Sequence, residues 1–237
     1  VLNKIEDDQL LVDFSVPAND TYIVHYDIEI DQLTAIRLEA NTHVSLPESG
    51  PGRAANGNFV LSEFNAFLTN EKGEKLEIDL GRAIADHSQD GYPVYHSIDG
   101  KDNTGWAINV KSGSLNVDRQ AIFLPTQSPK MDGKSRLTIT MFHNNTAPNY
   151  LVGCFSLSVT NEDPALLDTP ASIIALLKKE KRSKEEETQI VEAYKQTDLT
   201  RKELVAKVDS LKSQLSALEK SIPTTMILKE LDTPRTT

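Results

Sequence analysis

The chain has 237 residues, and 25 Lys and Arg against 35 Asp and Glu leave a net charge of −10, which argues against a phosphate backbone as partner. A single cysteine, Cys154, excludes an internal disulfide framework and a CxxCH haem site, so no haem is expected in these residues. Apolar runs such as Phe59–Leu61 and Tyr150–Val152 are far too short for a membrane span. No basic-then-apolar leader opens the sequence, which begins at Val1 and reads as a piece of a longer protein.

Thr21–Ile30 alternates, with Tyr22, Val24, Tyr26, Ile28 and Ile30 on one face and His25, Asp27 and Glu29 on the other, the period of a half-buried strand. Leu33–Ala40, Asn58–Leu68, Lys75–Leu80, Gln120–Pro125, Arg136–Phe142 and Tyr150–Thr160 read as further strands. Turn signals separate them: Pro47–Gly52, Asn56-Gly57, Asp90-Gly91, Asp99-Gly100 and Asp132-Gly133. Many short strands without a crossover helix predict a mainly β fold, an antiparallel β-sandwich of jelly-roll type over residues 1–162. Cys154, inside an apolar strand, reads as a small buried thiol.

The character changes near Pro164. Residues 161–237 hold 13 basic and 14 acidic side chains, which leaves 12 and 21 in residues 1–160, so the acidity belongs to the sandwich. Thr169-Pro170 reads as a helix start, and Ser183 with Glu186 fits a capping box for a helix to about Gln196. A further helix, capped by Asp198 or Thr200, runs to about Ser221. Its Leu204, Val208, Leu211, Leu215 and Leu218 form a heptad stripe that needs a partner helix. An α-helical hairpin or coiled-coil segment over 163–222 supplies that partner within the chain, or a helix-mediated dimer supplies it from another. Pro223 stops the helix, and residues 223–237 read as an extended tail.

The five histidines are scattered, without an HExxH or HxH pair, and no GxSxG, Walker loop or strand-to-helix GxGxxG occurs. Acid pairs such as Asp27/Glu29 and Glu77/Asp79 are spaced by two and fall on the wet faces of strands. Ser97–Trp106 (SIDGKDNTGW) places several hard oxygens in one tight bend, which suits either an Asx-type turn or, with backbone carbonyls added, a calcium ion. Asp90–His96 brings Tyr92, Tyr95 and His96 beside that bend. Arg53 sits in a Gly/Pro/Asn-rich loop, and His143 and Asn144 in another. Aromatic faces and polar side chains of this kind suit sugar rings and their hydroxyls.

Ile98–Ala107 (IDGKDNTGWA) resembles the DG-x-x-x-T-x-W signature of discoidin-type, galactose-binding-like domains, and Leu61–Phe64 (LSEF) is similar to their L-S-E strand. In that family the Glu follows the DG loop, whereas here it precedes it, which implies a permuted jelly roll. The resemblance implies a structural calcium held by the side chains of Asp99, Thr104 and Glu63 and by carbonyls of Lys101, Ser62 and His96. On a larger scale, Leu46–Phe64 (LPESGPGRAANGNFVLSEF), Gly91–Trp106, Leu151–Thr160 and Pro223–Pro234 resemble the central region of planctomycete multidomain cytochrome-c-like proteins.

Together these resemblances imply a non-catalytic carbohydrate-binding module, not an enzyme, within an extracellular, periplasmic or cell-envelope parent. Polysaccharide or glycan contacts are expected from Arg53, Tyr92, Tyr95, His96, His143 and Asn144, and other domains of the parent chain are further partners. The alternative expectation is a structural spacer whose helices make protein contacts.

Overall fold

The computed structural model describes residues 1–13, 18–167, 173, 176–177, 179, 181–197 and 199–221. Among them twelve strands form: β1 Leu2–Lys4, β2 Leu10–Val12, β3 Asp20–Ile28, β4 Ala35–Ala40, β5 Val60–Leu61, β6 Glu63–Asn70, β7 Lys75–Ile78, β8 Leu80–Ala85, β9 Trp106–Ala107, β10 Arg119–Pro125, β11 Ser135–His143 and β12 Cys154–Thr160. One sheet has the order β1-β2-β12-β4-β10-β8, a second β3-β11-β6-β7, and β5 pairs with β9 in a short ladder of its own. The named pairings are antiparallel, so the expected β-sandwich is the fold.

Strand alternation puts one row of side chains from each large sheet inward. In β3, Tyr22 and Val24 are buried while Thr21, Ile23, His25 and Asp27 face out. Ile36 and Leu38 of β4 and Phe123 of β10 meet Phe64 of β6 and Leu137, Ile139 and Met141 of β11 in one core. Phe64 stacks on Phe123 with ring centroids 4.0 Å apart, and Tyr22 lies parallel to Phe155 at 6.0 Å, so aromatic pairs join the two sheets. Each fully buried large apolar side chain there contributes roughly 1.5–3 kcal/mol.

The segment read as one strand, Asn58–Leu68, is two. At Ser62 the backbone N–H turns to donate to Phe142 O at 2.8 Å, so the chain leaves β9 and joins β11. That switch delivers Glu63 to the rim. Strands β1, β2, β8 and β9 were not expected from the sequence. The first two are three residues long, β9 is two, and β8 (LGRAIA) is an edge strand whose half-buried side chains lack a clean alternation.

Three helices follow among the described residues: α1 Pro164–Leu167, α2 Lys184–Thr197 and α3 Leu199–Ser221. The chain divides into two compact units, Val1–Asp168 and Thr169–Thr237. The capping box forms as expected: Ser183 N–H donates to Glu186 Oε2 at 3.0 Å, and Glu186 N–H donates to Ser183 Oγ at 3.3 Å. In α3 the stripe residues Leu204, Val208, Leu211, Leu215 and Leu218 are exposed. The helix start at Thr169-Pro170, the cap at Asp198 and the tail 223–237 lie outside the described residues. No helix among the described residues is long and apolar enough to cross a membrane.

Candidate functional site

The β5–β9 ladder positions the oxygen-rich bend. Val60 pairs with Ala107 and Leu61 with Trp106, so the residues just before Glu63 lie against those just after the bend. Gly105 makes this approach possible, because a Cβ there would stand 2.8 Å from Leu61 O and 3.1 Å from Ser62 Cα. Trp106 is fully buried, meets Phe59 edge to face at 5.0 Å, and donates its indole N–H to His87 O at 2.9 Å. The lone indole is a core anchor whose polar edge fixes a neighbouring loop.

Asp99, Thr104 and Glu63 come together as the resemblance implies, despite the reversed order. Lys101 N–H donates both to Glu63 Oε1 at 2.8 Å and to Asp99 Oδ1 at 3.0 Å. The Thr104 hydroxyl lies 2.8 Å from Asp99 Oδ1, 2.9 Å from Lys101 O and 3.4 Å from His96 O. One hydroxyl proton serves one of these three acceptors, so the bend holds more oxygen lone pairs than donors. Burial pushes the Glu63 carboxyl above its ordinary value, the Lys101 amide opposes that rise, and the neighbouring Asp99 carboxylate adds to it. The side chain of Lys101 is mostly exposed and reaches Asp99 only at 4.0 Å.

Two carboxylates, a hydroxyl and two carbonyls form a hard-oxygen donor set, which fits calcium and does not fit a nitrogen- or sulfur-seeking metal. Among the described residues no three His, Cys, Asp or Glu side chains converge on a common point. Ser62 is fully buried, and its hydroxyl accepts from Asn144 N–H at 3.0 Å, which ties a rim loop to the strand carrying Glu63.

The expected sugar contacts divide. Tyr95 is 58% exposed and packs edge to face on His96 at 4.7 Å, beside the bend. Tyr92 is half-buried, and its N–H donates to Gln89 O across the Asp90-Gly91 turn. Asn144 is exposed. One residue is a correction. His143 is 1% exposed, 4.5 Å from the Tyr22 ring, and burial drives its imidazole down to about 3, so it is a neutral core group with no surface to offer a ligand. Arg53 is half-buried; its Nη1 donates to Asp13 O at 3.0 Å and its backbone N–H donates to Leu151 O. Cys154 is buried as expected, and burial raises its thiol to about 11.

Sequence reasoning missed a cleft of about 480 Å³ between His87–Asp90 and Asn109–Ser112. Gln89 Oε1 accepts from Asn58 Nδ2 and from Asn109 N–H, and His87 Nε2–H donates to Asn109 O, so both walls are fixed. Asp90 and Lys111 form an exposed ion pair at its edge, which holds the Asp90 carboxyl below its ordinary value. The two walls are about twenty residues apart in sequence, and hydrogen bonds together with the Asp90–Lys111 pair join them. Compared with protein-family models and with curated protein sequences, the chain matches none.

Proposed function

We propose that the sandwich is a non-catalytic glycan-binding module, pinned at its rim by a calcium ion, within a larger secreted or envelope-associated protein. The observation that carries this reading is the Thr104 hydroxyl surrounded by Asp99 Oδ1, Lys101 O and His96 O, with the buried Glu63 carboxyl adjoining. Asp99, Glu63 and Thr104 would hold the ion through side chains, and Lys101 and His96 through carbonyls. Bound calcium supplies positive charge that neutralises the two carboxylates and fixes the bend.

Glycan contact then falls to what the rim exposes. Tyr95 offers an apolar face, His96 orients it, and Asn144 adds amide donors and acceptors. The polar cleft beside Tyr92 supplies Ser88, Asn109, Ser112 and the Asp90–Lys111 pair, which can exchange their mutual contact for vicinal hydroxyls. The acidic sandwich favours neutral over anionic polysaccharides.

Affinity electrophoresis through gels cast with neutral and acidic polysaccharides tests the reading. Retardation by at least one neutral polymer is expected, with Tyr95→Ala reducing it at unchanged melting temperature. Mobility unaffected by every polymer overturns it. The exposed stripe on α3 favours a second reading, in which the helical unit makes protein contacts.

A further inference from the structure

We propose that the apolar seam of α3 docks an acidic amphipathic helix of another protein. Leu204, Val208, Leu211 and Leu215 are 59, 47, 54 and 56% exposed, in a helix whose other faces are polar. A surface helix ordinarily turns such a stripe inward, and a contiguous exposed apolar strip marks an interaction surface. In heptad terms Val208 and Leu215 occupy the first core position, and Leu204 and Leu211 the second.

The occupant follows from the flanks. Lys207 precedes Val208 and Lys212 follows Leu211, so both border the middle of the seam. Both are exposed. A second copy in parallel register would set Lys207 against the partner's flanking lysine twice over, a like-charge contact on each side. An antiparallel copy centred on the seam would set Lys207 opposite Gln214 and Lys212 opposite Val205, which gives neither lysine a carboxylate. A helix with Leu or Val on its seam and Glu at its flanks satisfies both the apolar strip and the lysines.

The test uses the full chain and a labelled three-heptad peptide with Val and Leu in its core positions and Glu at every flanking position. A second peptide carries Lys at those positions instead. By fluorescence anisotropy the acidic peptide is expected to bind, and the basic one to bind roughly tenfold more weakly or not at all. Lys207→Glu with Lys212→Glu should reverse that preference, and Leu211→Asp should abolish both. Sedimentation of the chain alone should show a monomer. Equal affinity for the two peptides, absence of binding by the acidic one, or a self-dimer that the acidic peptide does not dissolve overturns the proposal.

Discussion

The backbone N–H of Lys101 donates to Glu63 Oε1 at 2.8 Å across 38 residues of sequence. This contact joins the strand-start carboxylate to the Asp99 bend and places two acids, one of them buried, against each other. In the absence of a cation such a pair is a local cost, because burial and like charge both disfavour ionisation. A cation reverses the sign of that cost. Calcium at a hundredfold its dissociation constant is therefore expected to add about 2.7 kcal/mol to stability. For a sandwich of this size that raises the melting temperature by roughly 5–10 °C. Differential scanning calorimetry with calcium and with EDTA checks this. Asp99→Ala should melt at one temperature under both conditions, and a wild-type melt indifferent to EDTA sinks the assignment.

The bend was legible from sequence because its residue types are chemically narrow, an Asp-Gly turn and a threonine five residues after the Asp, whereas Glu63 entered only through the resemblance of Leu61–Phe64 to an L-S-E strand. The alternating strands were legible for the same reason, since Tyr22, Val24 and their neighbours repeat with the period of the pleat. What sequence did not show is where long-range hydrogen bonds act. The strand break at Ser62 depends on Phe142 O, and the cleft depends on Gln89 meeting Asn58 and Asn109. His143 looked like a loop histidine because Asn144, Asn145 and Thr146 follow it. It is instead the last residue of β11, paired with Asp20, on the inward face.

That burial makes His143 a pH-dependent element of stability. Its ring donates from Nδ1 to Asp20 O at 3.3 Å and stays neutral, with a folded value of about 3 against an ordinary 6.5. Between those values the unfolded chain takes up a proton that the folded chain refuses. Stability from this group is therefore complete above about pH 6.5 and is lost progressively as pH falls toward 3. At pH 5 the loss is about 2 kcal/mol. Urea titrations at pH 7 and pH 5 measure it. His143→Phe should show a difference between the two pH values smaller by about that amount, whereas an unchanged difference would mean that the imidazole is not excluded from protons.

Gly57 and Asn116 form a second long-range pair, one that explains the glycine-rich loop. Gly57 has φ +81°, and a Cβ on it would lie 2.1 Å from Asn116 Oδ1; on Gly50 the same oxygen would be 2.3 Å away. The Asn116 oxygen is buried without a conventional hydrogen-bond partner and rests against the Gly57 backbone, where Cα–H groups are its neighbours. Gly57→Ala thus combines two penalties, a left-handed backbone worth about 1–2 kcal/mol and a side-chain clash. Together they should cost about 3 kcal/mol in urea unfolding. Asn116→Ala in the same chain removes the 2.1 Å clash and leaves the backbone term and a 3.2 Å approach to Pro47 O, so the double variant should be more stable than Gly57→Ala alone. Gly91→Ala, at φ +82° but with no atom within 4 Å of its Cβ, isolates the backbone term and should cost about 1 kcal/mol. Equal losses for Gly57→Ala and Gly91→Ala would show that Asn116 yields freely and that the loop is not packed by that contact.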